Sequence, residues 1–213
     1  QNLIDFVFLS VRIGRSYSWK HEILEYSNVF TENDIAIIEN KNKIKPFKEL
    51  QDKKIIIIAN HLHKYCFASY RDDYDEIKKK LSNIRWNKSY VNLKKELNKK
   101  SMCLIVDEAH ELSHSDAVRT KSMVSHIDQF DYRYLLSATP AIERFERWHN
   151  SLSQLDKSIV PLSENAFKIA ISKKIGDNYG IYNIVQYDHD AIDYWRKKFS
   201  PWVIRRLKKD LPE

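Results

Sequence analysis

Glycine is almost missing from this 213-residue chain: Gly14, Gly176 and Gly180 are all it has. A phosphate-cradling loop, Gly-x-x-x-x-Gly-Lys-Ser/Thr, needs bare backbone amides close to the phosphates. No such string occurs. Its nearest approach, residues 14–21, has Trp19 at the second glycine and His21 at the hydroxyl position. Cysteine is as scarce. Cys66 and Cys103 cannot staple a disulfide scaffold, and they suit a reducing compartment. Both read as small buried hydrophobes rather than nucleophiles. The longest apolar runs, Ile55–Ala59 and Met102–Val106, fall far short of the ~20 residues of a membrane span. Residues 1–5 are no signal peptide and lack an initiator methionine, so the chain reads as a piece of a longer one. The expected location is intracellular, in cytoplasm or nucleus, with a virus-encoded origin as the alternative.

What the chain does have is positive charge. Lys and Arg number 36 against 29 acidic residues, for a net charge of +7. A basic balance points to a polyanionic partner, usually nucleic acid, unless it is merely a solvated lysine surface. Apolar residues make up 43%, enough at this length for one domain with a sizeable core.

Strand and helix signals alternate along the chain. Residues 3–11, 34–39, 54–59, 102–106 and 132–136 read as strands, and the third is apolar throughout after Lys54. Residues 16–26, 116–130, 141–155 and 188–199 read as helices. Residues 72–100 begin acidic and end basic, which complements a helix dipole and predicts one or two helices. Residues 156–187 look irregular, with a weak strand at 182–186. The pattern predicts an α/β fold with a mainly parallel sheet.

Residues 102–110, Met-Cys-Leu-Ile-Val-Asp-Glu-Ala-His, carry the strongest signal. An apolar strand ends in two adjacent carboxylates, where doubly wound sheets bind ligands. Two acids there are costly unless a cation or a reaction uses them. Asp107 is placed to hold Mg²⁺, directly or through water. Glu108 is placed to orient and deprotonate a water attacking a γ-phosphate. The Asp-Glu-Ala-His string arises in about two of a thousand shuffles of such a composition. Further on, the strand Tyr134-Leu135-Leu136 runs into Ser137, Ala138, Thr139 and Pro140. Hydroxyls there can bridge the carboxylates to a neighbouring surface. The same run also reads as a helix start, with Thr139 as cap before Pro140.

These two strings resemble motifs II and III of superfamily-two helicases. Two more matches narrow the resemblance to the Swi/Snf-like branch. One is Trp19-x-x-Glu22-Ile23. The other is Phe199-x-Pro201-x-Val203-Ile204-Arg205-Arg206-x-Lys208-Lys209-Asp210-Leu211-Pro212. The resemblance implies a RecA-like P-loop NTPase lobe whose loop-bearing first strand precedes Gln1. It implies that residues 1–213 are the ATP-binding lobe of a DNA-dependent ATPase, a helicase or translocase. Residues 72–100 would be a basic helical insertion and 188–213 the segment closing the lobe. The implied cofactors are ATP and Mg²⁺. The implied partners are nucleic acid, double-stranded DNA first, and a second RecA-like lobe outside the chain. By the same resemblance Asp107 holds Mg²⁺, Glu108 activates water, and His110 links the nucleotide site to the partner lobe. Ser137, Ala138 and Thr139 would couple hydrolysis to nucleic-acid contact. Arg12 and Arg15, and then Asn60 and His61, fall where the family's DNA-contacting motifs lie. Without the phosphate loop and its lysine, the isolated chain is expected not to turn over ATP.

Three other readings compete. His110-Glu111-Leu112-Ser113-His114 is a His-Glu-x-x-His string, which on one helix binds Zn²⁺ for a metalloprotease. It arises in about two of a hundred shuffles and requires one helix across 104–114. A non-catalytic DNA-binding remnant of the lobe is the second, although loss of a central strand would leave a gapped, unpaired sheet. The third concerns Tyr194, Trp195, Arg196, Lys197, Trp202, Arg205 and Arg206, which either track a nucleic-acid strand or form an amphipathic helix with Trp195 and Phe199 inward. His61, His63 and Cys66 read as incidental loop residues more readily than as a metal cluster.

Overall fold

The structure, a computed structural model, describes residues 4–40, 47–63, 92–112, 120, 123, 124, 126–138, 144–178 and 181–204. It divides into two compact units, Gln1–Pro140 and Ala141–Glu213.

The first unit is built on five parallel strands. They are β1 (Phe6–Val11), β2 (Ile35–Ile38), β3 (Ile55–Ala59), β4 (Met102–Val106) and β5 (Tyr132–Leu135). Their order is β2-β3-β1-β4-β5. The central strands are apolar on both faces, as a sheet covered on both sides requires. Phe6 and Phe8 of β1 join Ile56 and Ile58 of β3 in one core cluster, while Leu9 and Val11 join Ile55 and Ile57 in the other. Helix α1 (Ser16–Tyr26) covers the second face with Trp19 and Ile23. Gly14 turns the chain into it at φ +79°, a left-handed value that glycine takes without cost. Helix α2 (Leu93–Leu97) covers the first face and is capped by the Asn92 side chain. It ends at Asn98 with φ 53°, the left-handed position that asparagine tolerates. The rest of the 72–100 segment lies largely outside the described residues.

The sheet has no gap. β1 sits at its centre, paired with β3 on one side and β4 on the other. A strand added to this sheet would therefore join an edge. Tyr134 in β5 and Leu136 just after it are 52% and 41% exposed, whereas β1 is buried nearly throughout.

The entry to β2 carries a reciprocal cap. The Thr31 amide and hydroxyl both donate to Asp34 Oδ2 at 2.8 Å, and Lys54 Nζ lies 3.0 Å from Oδ1. The Thr31 amide, the Lys54 ammonium and the Thr31 hydroxyl hold the Asp34 carboxyl down at about 2. A depressed carboxyl stabilises the fold above its unfolded pKa, and that stability is lost as pH falls through the folded one. The destabilisation caused by Asp34→Asn, followed by urea unfolding, should stay constant from neutral pH to about pH 4 and fade toward about pH 2. A difference that grows on acidification would refute this account.

The second unit comprises α3 (Arg147–Leu155), α4 (Glu164–Ala170), an antiparallel hairpin of β6 (Ser172–Asn178) and β7 (Ile181–Tyr187), and α5 (His189–Phe199). The region 156–187 is thus more ordered than its sequence suggests. Ser163 caps α4 by accepting from Ala166 N at 3.2 Å. The register shifts at Lys174 break the period of two in β6, so alternation cannot reveal it. Asp188 caps α5, accepting from the Asp190 and Ala191 amides, and Arg196, Lys197 and Lys198 complement its C-terminal dipole. Ile192, Trp195 and Phe199 face the core at helical spacing. Tyr194 and Trp202 stay exposed, while 205–213 lie outside the described residues. Burial and a 2.6 Å hydrogen bond to Glu146 push the Tyr187 hydroxyl up to about 12. Among the described residues no helix is long and apolar enough to cross a membrane.

Candidate functional site

β4 delivers Asp107 to the carboxyl edge of the sheet, and the neighbouring backbone fixes it there. The Asp107 amide donates to Ser10 O at 2.8 Å at the end of β1. Both carboxylate oxygens are held. Oδ1 accepts from the Glu108 amide and Oδ2 from the Trp19 indole N–H, each at 2.9 Å. Each oxygen keeps a second lone pair. The next residue, Glu108, has φ +51°. A left-handed backbone at a non-glycine residue is strained and persists only where the surroundings impose it. Two backbone bonds do so: Glu111 N donates to Glu108 O, and Ala109 N to Leu136 O, both at 2.9 Å.

His110 joins the two motif strings. Its Nδ1 lies 3.2 Å from Glu108 Oε2 and 3.2 Å from Ser137 Oγ. The carboxylate can only accept, so Nδ1 carries the proton in this pair. That single proton is shared between two acceptors, so Glu108 and Ser137 meet at His110 Nδ1 and form a contact chain from the end of β4 to the end of β5. Ala138 beside them is exposed, and Thr139 lies outside the described residues.

Arg12 and Arg15 flank the start of α1. With Ser18, Trp19, Glu22, Asp107 and Glu108 they line a cavity of about 340 Å³. Trp19 and Glu22 are one helical turn apart, so both face the carboxylates. That spacing was the sequence signal for their membership, and only the fold shows that it leads to Asp107. Asn60 and His61 follow β3 in a 3-10 turn, Asn60–Leu62. Asn60 is 2% exposed and turned inward, where its Oδ1 accepts from the Ser10 hydroxyl. His61 is half-buried. Ser10 and Glu111 also bond to the site residues; no sequence motif marks Ser10, and Glu111 stands out in the sequence only within the His-Glu-x-x-His string.

The donor set limits what the cavity can take. Asp107 and Glu108 offer oxygen alone, which suits a hard cation such as Mg²⁺ that needs only one or two protein carboxylates. The guanidiniums of Arg12 and Arg15 on the same wall suit phosphate oxygens. Zinc fits poorly. Residues 102–106 are strand and Ala109–Leu112 a 3-10 turn, so the single helix required across 104–114 does not form. His114 lies outside the described residues. Among those described, no three His, Cys, Asp or Glu side chains gather as a metal site.

No curated protein matches the chain. Among solved structures it resembles the Sulfolobus solfataricus SWI2/SNF2 ATPase core in complex with dsDNA, with 18% identity and a TM-score of 0.58. The match covers 96% of this chain and 34% of that one, so the chain spans about a third of its length. At that identity the likeness shows the fold, a RecA-like α/β sheet. The family model for the SNF2-related domain matches residues 15–213. The chain therefore belongs to the SNF2-related domain family, as a lobe of the helicase and translocase type.

Proposed function

We propose that this chain is the first lobe of an ATP-dependent motor that moves on double-stranded DNA. The observation that carries the reading is the Glu108–His110–Ser137 chain. It ties the acidic end of β4 to the end of β5, so a change at one motif is felt at the other. Asp107 and Glu108 would hold Mg²⁺, which supplies charge neutralisation at the phosphates when bound. Glu108 orients and deprotonates the attacking water. Trp19 fixes the Asp107 carboxylate. Ser137, Ala138 and Thr139 pass the state of the site toward a second lobe, which lies beyond this chain. Arg12, Arg15 and His61 meet the nucleic acid, while buried Asn60 supports them from behind. The lysine of a phosphate loop comes from elsewhere in the full-length protein.

ATP turnover by the full-length protein tests the reading. Double-stranded DNA should raise the rate, and the 213-residue chain alone should show none. Binding of DNA without turnover would leave a non-catalytic module. Turnover by the isolated chain, lost on Glu108→Gln, would overturn the claim that the phosphate loop lies elsewhere.

A further inference from the structure

Glu111 belongs to neither motif string, yet it joins the two sides of the site. Its Oε2 faces Asn60 Nδ2 and its Oε1 faces Arg12 Nε, each at 3.4 Å. Behind Asn60 the bonds continue into the core. The Ser10 hydroxyl donates to Asn60 Oδ1, and His63 Nε2 lies 2.8 Å from Ser10 Oγ. Ser10 has one proton and gives it to Asn60, so His63 Nε2–H must donate to Ser10. Every donor then points the same way, from His63 through Ser10 and Asn60 to the Glu111 carboxylate. Aligned bonds of this kind polarise one another, and Ser10, Asn60 and His63 are almost wholly buried.

The outer end is different. The Glu111 side chain is 22% exposed and that of Arg12 is 63% exposed. An ion pair so exposed adds little to stability. It does restrict the guanidinium. With Nε turned to Glu111, the two Nη groups of Arg12 have no partner among the described residues, and a guanidinium edge is the shape that forks a phosphate. The buried chain fixes Glu111, Glu111 fixes Arg12, and Arg12 presents a fork at the mouth of the cavity.

We infer that Glu111 is a positioning residue that pre-orders Arg12 for a backbone phosphate of the bound nucleic acid. This rests on the proposed function, because it takes Arg12 as a phosphate contact. Long arginine side chains lose rotamer freedom on binding, and a holder that removes part of that loss in advance raises affinity. Glu111→Gln replaces one acceptor oxygen by a donor, so it cannot serve both Asn60 and Arg12.

Duplex DNA binding by the full-length protein, titrated against salt by fluorescence anisotropy, separates the outcomes. Arg12→Ala should lower the slope of log affinity against log salt by about 0.9, one phosphate contact. Glu111→Gln should weaken binding by about 5-fold and leave the slope unchanged, since Arg12 still reaches the phosphate but unordered. The double variant should match Arg12→Ala in both measures. Arg12→Lys keeps the charge but has neither the Nε that faces Glu111 nor the paired Nη groups, so it should resemble Glu111→Gln. A merely structural Glu111 would instead give losses that multiply with those of Arg12→Ala, and that result overturns the inference. So does a Glu111→Gln protein that binds like wild type. If wild type shows no salt-dependent duplex binding at all, the functional reading itself fails.

Discussion

Glu108→Gln in the full-length protein should lower kcat for ATP by about 10²–10⁴-fold, the range for losing a positioned general base. Three features of the site set that expectation. Glu108 occupies a left-handed backbone that two main-chain bonds impose, so its side chain leaves the main chain in a fixed direction, and His110 lies 3.2 Å from its Oε2. It shares the cavity with Asp107, its partner in the proposed Mg²⁺ site, which places it beside the phosphates that the ion would neutralise. Its remaining contact is to His110, which can donate to a glutamine oxygen as well as to a carboxylate. The substitution thus removes basicity and keeps shape. Nucleotide affinity should change by less than about 3-fold, and the lost rate corresponds to about 2.7–5.5 kcal/mol in the barrier. Single-turnover kinetics separate the two effects. A variant that hydrolyses within tenfold of wild type would remove Glu108 from the chemistry. One that fails to bind nucleotide would assign it to binding instead.

The sheet was legible because two of its inner strands are apolar without interruption. Ile55–Ala59 and Met102–Val106 can only be strands buried on both faces, and β1 between them repeats the pattern. The acidic end of β4 was legible for the opposite reason, since adjacent carboxylates after five apolar residues conflict with burial unless something uses them. The order of the strands was not legible. A gap at the sheet centre followed from reasoning about a missing strand, and pairing alone shows that β1 fills that place. The second strand of the hairpin was legible as the weak strand signal at 182–186, while β6 was hidden by its register shifts and by Lys173 and Lys174. Polar support was hidden most completely. Ser10 reads as one serine in an apolar run and Asn60 as a loop residue, although fifty positions separate two groups that share a hydrogen bond. Long-range pairing of that kind leaves no local period to detect. It also reverses one expectation: Asn60, placed by its position among residues that touch nucleic acid, is an interior support.

The second unit shows how much stability a few aromatic residues carry. Phe167 is fully buried at the middle of α4, packed against Phe145, His149, Trp195 and Phe199. Trp195 meets it edge-on at 5.2 Å, the arrangement in which a ring edge faces a negative π surface. Phe167→Ala would leave a hole walled by rigid rings that cannot collapse into it, so a cost of about 3–5 kcal/mol is expected. A small core rarely supplies more than about that amount, so the unit should lose its cooperative unfolding transition. Phe167→Leu keeps most of the volume and should cost no more than about 1.5 kcal/mol. Tyr194, exposed on α5, also touches Trp195 edge-on, yet truncating it to alanine removes little from water. That change should stay within about 0.5 kcal/mol. Urea unfolding followed by tryptophan fluorescence ranks the three, because Trp148 and Trp195 pack in or against this core. Equal costs at Phe167 and Tyr194 would show that the aromatic cluster is not what holds the unit together. A large cost for Phe167→Leu would show that ring shape, rather than filled volume, is what the core requires.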